Sequence, residues 1–158
     1  MRTKPCGMRR SVRKSPVFPV SRPEAVQAQH PNAVCIGSDT MVTIDGLRLG
    51  KPKDADEAAS MLRRLRGRTH EVLTGLAVLT PDGGAHTLHT CTRVTFRDFA
   101  EDELAAYLAT GEPLDKAGAY GIQGHGALLI KGIEGDYYSV MGLPVAPLYT
   151  ILRDIHAV

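Results

Sequence analysis

The clearest pattern in the chain lies between residues 54 and 66, where apolar side chains recur every three or four positions. That spacing places them on one face of an α-helix. Asp54 can cap the start of this helix, and Gly67 suits its end. The same spacing predicts helices over residues 101–110 and from Pro147 onwards.

Extended runs of apolar and β-branched residues separate these helices. Asp45-Gly46 stands between two such runs and predicts a hairpin, and a second hairpin is expected to turn at residues 81–84. Pairs of strands between single helices favour an α/β fold with a mixed β-sheet and flanking helices over a purely parallel sheet. The predicted strands cover residues 33–36, 41–44, 47–49, 72–79, 87–96, 127–133 and 137–141.

The first 23 residues differ from the rest in charge and composition. Residues 1–22 carry seven basic side chains and no acidic ones, and four of the ten prolines lie within residues 1–23. We therefore expect a basic, irregular tail over residues 1–23 and one domain over residues 24–158. Three roles stay open for the tail: binding to nucleic acid or an anionic surface, organellar targeting, or none beyond a solvated terminus.

Length and composition restrict the class of protein. The chain has 158 residues, of which 43% are apolar, and this suits a single core. No apolar run approaches the roughly 18–20 residues of a membrane span, so no membrane partner is expected. The three cysteines are widely spaced and odd in number. This argues against a disulfide framework or a zinc site and fits a cytoplasmic location.

Three polar clusters are expected in loops at the ends of these elements, where functional sites usually lie. In the first, Asp39 follows an apolar strand and could hold a divalent metal or accept a proton from water. The alternative is a carboxylate that only shapes a turn. In the second, Lys51 precedes a helix N-terminus and could meet a phosphate. The alternative is an ordinary surface lysine.

The third cluster, residues 112–124, combines acidic, basic and amide side chains with several glycines. Glu112 and Asp115 could bind magnesium, Lys116 could meet phosphate, and Gln123 could read the edge of a base with one donor and one acceptor. The alternative is a salt-bridged loop with glycine turns. The density of ionisable groups among glycines favours a functional site.

Several stretches of the sequence resemble the Maf family of nucleotide pyrophosphatases. The most specific is Thr-Gly-Glu-Pro-Leu-Asp-Lys-Ala-Gly-Ala-Tyr-Gly-Ile-Gln-Gly at residues 110–124. Shorter matches are Ile-Gly-Ser-Asp-Thr at 36–40, Leu-Gly-Lys-Pro-Lys-Asp at 49–54, and Val-Met-Gly-Leu-Pro at 140–144. The resemblance extends from about residue 24 to the last residue.

This resemblance implies a two-lobed α/β fold with a central cleft and hydrolysis of nucleoside triphosphates to the monophosphate and pyrophosphate. The form of residues 115–124 is similar to the branch that acts on dTTP and UTP, which removes unwanted nucleotides from the cellular pool. The resemblance implies Mg²⁺ or Mn²⁺ as cofactor and a homodimer, with no specific nucleic-acid partner. The implied catalytic residues are Asp39, which also faces the metal, and Lys51; the implied substrate-binding residues are Gln123, Lys116, Glu112 and Asp115.

One part of the family pattern has no match. Family members begin with a strand and a Ser-x-Ser-x-Arg-Arg loop that cradles the triphosphate, followed by a Glu and a Lys. Met8-Arg9-Arg10-Ser11 contains an arginine pair without the serines, and Pro23 falls where a helix would be disturbed. We therefore expect the first strand–helix unit to be missing or replaced. The alternative function is then a catalytically impaired relative that binds a nucleotide or a partner without turnover.

Overall fold

A computed structural model describes residues 9–10 and 21–158 of the chain. Most of the predicted basic tail lies outside these residues. Two parts of it are described, and both have regular secondary structure. Arg9–Arg10 forms a short strand, and a helix begins at Ser21. Pro23 lies in the first turn of that helix, where a missing backbone N–H costs nothing.

Six strands form one sheet, and every pairing among the described strands is antiparallel. The order is β1-β5-β4-β2-β3, and β6 also pairs with β5. The α/β class with flanking helices is confirmed, whereas the expected mixture of strand directions is not found. The strands are β1 (Arg9–Arg10), β2 (Cys35–Ile44), β3 (Leu47–Leu49), β4 (Thr69–Leu79), β5 (Ala85–Phe96) and β6 (Ile130–Glu134).

Among the described strands, β3 and β4 run in the same direction without pairing with each other. A helix joins these two strands, and they run in the same direction, but both lie against β2, one on each side. Two neighbouring pairs, β2 with β3 and β4 with β5, follow each other directly in hairpins. Consecutive strands joined by tight turns must be antiparallel.

The two faces of the sheet carry different layers. One face packs against most of the helices and the 112–129 segment, around a core that includes Val42, Leu62, Val72 and Phe96. The other face meets the first helix, whose Gln27 side chain donates to the backbone oxygen of Thr80. The helices are α1 (Ser21–Gln29), α2 (Ala55–Leu65), α3 (Glu101–Ala109), α4 (Tyr137–Met141) and α5 (Val145–Asp154).

The predicted helix after residue 54 is confirmed together with its caps. The carboxylate of Asp54 accepts a hydrogen bond from the backbone N–H of Glu57 at 2.8 Å. Gly67 has a positive φ of 68°, which a residue with a side chain would rarely adopt at the helix end. Ala58, Leu62 and Leu65 are fully buried against the sheet, as their spacing predicts.

Two predicted strands have a different structure. Residues 137–141 form α4, because the Asp136 carboxylate accepts hydrogen bonds from the N–H groups of Tyr138 and Ser139 and so caps a helix. The predicted strand over 127–133 begins only at Ile130, since Gly124–Leu129 forms a 3-10 helix. In such short apolar runs, periodicity alone does not distinguish a strand from a helix.

The two described cysteines differ in their chemical state. Cys35 is a buried free thiol. Cys91 is disulfide-bonded, which the odd count and wide spacing of the cysteines had not predicted.

Among residues 9–10 and 21–158, no helix combines the length and the apolar character that crossing a membrane requires.

Candidate active site

A cavity of about 210 Å³ lies between the core face of the sheet, α4 and the 116–123 part of the glycine-rich segment. Its walls combine apolar side chains with a few polar ones, the mixture that small-molecule sites usually show. The lining residues are Thr40, Val42, Val72, Lys116, Ala117, Tyr120, Gly121, Ile122, Gln123, Val140 and Met141. Two of the six predicted site residues, Lys116 and Gln123, therefore share one cavity.

Gly118 lets the glycine-rich segment approach the sheet closely. Its φ is +73°, and a Cβ added there would lie 3.0 Å from Cγ1 of Val42. Its backbone N–H donates to the oxygen of Gly50 at 3.0 Å, which ties the segment to the loop that carries Lys51. Only glycine meets the steric and conformational demands of this position. The contact brings the second and third polar clusters of the sequence to the same end of the sheet.

The basic side chains at this end lie around one acid. Lys116 Nζ is 2.7 Å from Asp115 Oδ1. The hydrogen bond and charge of Lys116 hold the pKa of Asp115 below its usual value, and the charge of Lys51 adds to this effect. Lys51 and Asp115 are both exposed. An anionic ligand could therefore take the place of Asp115 in attracting these cations.

Gln123 is exposed at the mouth of the cavity. Its side-chain amide makes no hydrogen bond to any residue that the structure describes, although its neighbours on both sides are fixed in the fold. An unpaired amide offers one acceptor and two donor hydrogens. Gln123 is thus free to meet the polar edge of a ligand in the cavity.

Glu112 differs from the other predicted ligand-binding residues because protein donors already occupy its carboxylate. Oε2 accepts from the N–H of His125 at 3.0 Å, and Oε1 lies 3.3 Å from the N–H of Gly126 and 3.2 Å from the hydroxyl of Tyr107. Burial raises the pKa of Glu112, but these hydrogen bonds outweigh burial and hold the pKa below its usual value. The carboxylate is therefore ionised and engaged within the protein.

Asp39 does not lie where the sequence predicted. Residues 37–40 were expected to form a loop, but β2 runs through them without interruption from Cys35 to Ile44. Successive side chains of a strand point to opposite faces. Thr40 faces Thr74 and the cavity, so Asp39 projects from the other face, where it lines a second cavity of about 590 Å³ beside α1. Asp39 thus lines a different cavity from Lys116 and Gln123.

The floor of the first cavity contains a hydrogen-bonded pair that sequence reasoning missed. Tyr120 lines the cavity, and its hydroxyl lies 2.7 Å from Nε2 of His70, a side chain with only 2% exposure. Burial lowers the pKa of His70 to about 4, so its ring is neutral at physiological pH. The period-2 series His70, Val72, Thr74 along β4 was the available sign that this histidine faces the core.

A second missed group connects the cavity to α4. The hydroxyls of Thr40 and Thr74 lie 2.9 Å apart, and that of Thr74 donates to the backbone oxygen of Ser139 at 2.6 Å. This path fixes α4, which contributes Val140 and Met141 to the cavity wall. Both threonines face the core from neighbouring strands, and their pairing depends on a register that the sequence does not specify.

The described part of the chain contains no group of three or more His, Cys, Asp or Glu side chains that could hold a metal ion. A metal cage made only of protein ligands therefore does not fit these residues. A single exposed carboxylate such as Asp39 can still act as one ligand of Mg²⁺ that is otherwise bound by phosphates.

Comparison with known proteins agrees with the resemblance seen in the sequence. The profile of a family described as Maf-like protein matches residues 19–155. The chain belongs to the Maf family. Relatives at about half identity include proteins of Nitratidesulfovibrio vulgaris (54% over 132 residues), Bacillus velezensis (55% over 132 residues) and Dictyoglomus turgidum (47% over 149 residues). Each of these relatives bears the name dTTP/UTP pyrophosphatase.

The matched region is a larger share of this Maf-family chain than of its relatives. The match covers 84% of this chain but 63% of the Nitratidesulfovibrio vulgaris protein and 69% of the Bacillus velezensis protein. With the Dictyoglomus turgidum protein it covers 90% of this chain and 77% of the relative. The family assignment rests on most of this chain, whereas the activity belongs to relatives that extend beyond the matched region.

Proposed function

We propose that this Maf-family protein is a nucleoside triphosphate pyrophosphatase that converts dTTP and UTP to the monophosphate and pyrophosphate. The observation that carries the proposal is the shared cavity of Lys116 and Gln123, built by the segment that is most specific to the family. Relatives at 47–55% identity bear the name of this activity. A role in clearing unwanted pyrimidine nucleotides in the cytoplasm, by a homodimer, is part of the same proposal.

The geometry suggests how a nucleotide would lie. The unpaired amide of Gln123 can meet a pyrimidine, which presents both a donor and an acceptor along its pairing edge. Lys116 and Lys51, at the end of the cavity where the segment meets Gly50, can attract the negatively charged phosphates. Val42, Val72 and Ile122 supply apolar surface between them.

The proposed chemical step depends on Asp39. We propose that its carboxylate activates the attacking water or helps to hold Mg²⁺ or Mn²⁺ that arrives with the triphosphate, the cation supplying charge neutralisation on the phosphates when bound. Its exposure leaves both roles sterically open. Because Asp39 projects from the face opposite Thr40, the triphosphate would have to reach past the strand from the Lys116 cavity to bring its reacting bond near this carboxylate.

That separation also favours a second candidate function. A chain whose cavity holds Lys116 and Gln123 but not Asp39 can bind a nucleotide without hydrolysing it. In this alternative the protein would sequester the nucleotide or present it to a partner. The same residues would recognise the ligand in both cases, so only turnover distinguishes the two functions.

Pyrophosphate release from dTTP and UTP with Mg²⁺ tests the first function. We expect turnover by the unaltered protein and its loss in Asp39→Asn. Glu134→Gln, a carboxylate-to-amide change on the exposed edge strand β6, serves as the control and should keep full activity. If the unaltered protein and Asp39→Asn release pyrophosphate at the same background rate while dTTP still binds, the second function is the correct one.

A further inference from the structure

We propose that Glu112 is a positioning residue that holds residues 121–126 in one conformation and thereby places the amide of Gln123 for base recognition. This inference rests on the proposed function, because it assigns Gln123 to the base. It gives Glu112 a role other than the direct contact with substrate that the family resemblance implies. Three observations support it: the donors around the carboxylate, the glycines that enclose it, and the position of Gln123 between them.

The carboxylate of Glu112 joins two sides of the segment. On one side it accepts from the backbone N–H groups of His125 and Gly126. On the other it accepts from the Tyr107 hydroxyl, which in turn accepts from the N–H of Gly121 at 3.2 Å. Three backbone amides that flank Gln123 are therefore fixed by one side chain and its hydroxyl partner.

Glycines allow this close approach. A Cβ at Gly124 would lie 2.7 Å from Glu112 Oε2, and a Cβ at Gly121 would lie 3.2 Å from Oε1. At Gly126 a Cβ would lie 2.8 Å from the Tyr107 hydroxyl. Gly121 and Gly124 thus leave room for the carboxylate, and Gly126 leaves room for its hydroxyl partner. The backbone encloses Glu112, whose side chain keeps only 18% exposure.

The position of Gln123 follows from these contacts. It lies between Gly121 and Gly124, where an added side chain would meet the Glu112 carboxylate, while its own side chain lines the cavity. Loss of the carboxylate charge would leave the N–H groups of His125 and Gly126 with a weaker acceptor, or with none. The segment could then take other conformations, and the amide of Gln123 would lose its fixed direction. Loss of this fixed direction should lower the discrimination between bases more than it weakens phosphate binding.

Glu112→Gln tests this role, with Glu134→Gln as the matched control. We expect the amide protons of His125 and Gly126 to exchange at least about tenfold faster in Glu112→Gln, since each amide loses a charge-assisted hydrogen bond that protects it from exchange. The preference for dTTP over dCTP, measured as the ratio of kcat/KM values, should fall about tenfold. That change should lie mainly in KM for dTTP. The control should change neither quantity.

Tyr107→Phe provides a second test in case Glu112→Gln does not fold. It removes the acceptor for Gly121 but keeps the carboxylate, so exchange should become faster at Gly121 and the preference for dTTP should fall less. An unchanged preference in both variants, with only a lower Tm, would show that Glu112 is merely structural and would overturn the proposal. If the unaltered protein has no turnover, the proposed function fails. The ratio of Kd values for dTTP and dCTP, together with the exchange rates, then decides the role of Glu112.

Discussion

Acidification below pH 7 should destabilise this protein through a single buried histidine. His70 lies in the core with 2% exposure. Its Nε2 is paired with the Tyr120 hydroxyl, and its Nδ1 has no hydrogen-bond partner among the residues that the structure describes. Its ring packs edge to face against Phe96, with centroids 5.1 Å apart. A charged imidazolium in this setting would lose its hydration with little compensation. The folded protein therefore keeps His70 neutral.

The size of the effect follows from the shift in the pKa of His70. Burial lowers this pKa from 6.5 to about 4. As the pH falls through 6.5, His70 of the unfolded chain binds a proton, whereas His70 of the folded chain does so only at about pH 4. The free energy of unfolding is therefore at its full value above pH 6.5 and falls as the pH drops from 6.5 to about 4. The full difference corresponds to about 3 kcal/mol, and about 2 kcal/mol of it is lost between pH 7 and pH 5.

Urea unfolding at pH 7, 6 and 5 measures this loss. The free energy of unfolding should fall by about 2 kcal/mol for the unaltered protein. His70→Gln removes the titrating group, so its stability should be lower at pH 7 but should depend much less on pH over this interval. His86→Gln, which changes an exposed histidine of β5, is the matched control and should keep the dependence of the unaltered protein.

The unaltered protein and His70→Gln should differ in the slope of unfolding free energy against pH. Equal slopes of unfolding free energy against pH for the unaltered protein and His70→Gln would refute it. Such a result would mean that His70 takes up its proton in the folded state as readily as in the unfolded chain. The neutral His70–Tyr120 pair could then not be the reason for acid sensitivity.

Two further substitutions test the packing around the site. Thr74→Val keeps the volume but leaves the Ser139 oxygen without its 2.6 Å donor, so urea unfolding should show a loss of about 1–3 kcal/mol; a loss no larger than that of Thr43→Val, on the opposite face of the sheet, would contradict this. Asp54→Ala removes the cap of α2 and should cost about 1 kcal/mol, or about 2–4 °C in Tm by calorimetry. An unchanged Tm would mean that the cap does not contribute.

The α2 helix and the β4–β5 hairpin could be predicted because their signals are local. The apolar face and cap of α2 lie within one segment, and the turn residues between β4 and β5 specify a hairpin directly. The short run at 137–141 forms a helix rather than the predicted strand. The Asp136 cap of this helix is local, but the hydrogen bond from Thr74 on β4 to the Ser139 oxygen joins residues far apart in the chain. A local pattern suffices where the stabilising contacts are themselves local.

In the candidate site too, the sequence predicts what depends on local signals and not what depends on contacts between distant residues. The sequence by itself identified the family, the glycine-rich segment and the residue types that could meet a nucleotide. Only the tertiary structure placed Lys116 and Gln123 in one cavity, enclosed Glu112 among backbone donors, and turned Asp39 to the other face of the sheet. These outcomes depend on strand register and on close approach between distant segments. A change of one residue along a strand reverses the face on which a side chain lies.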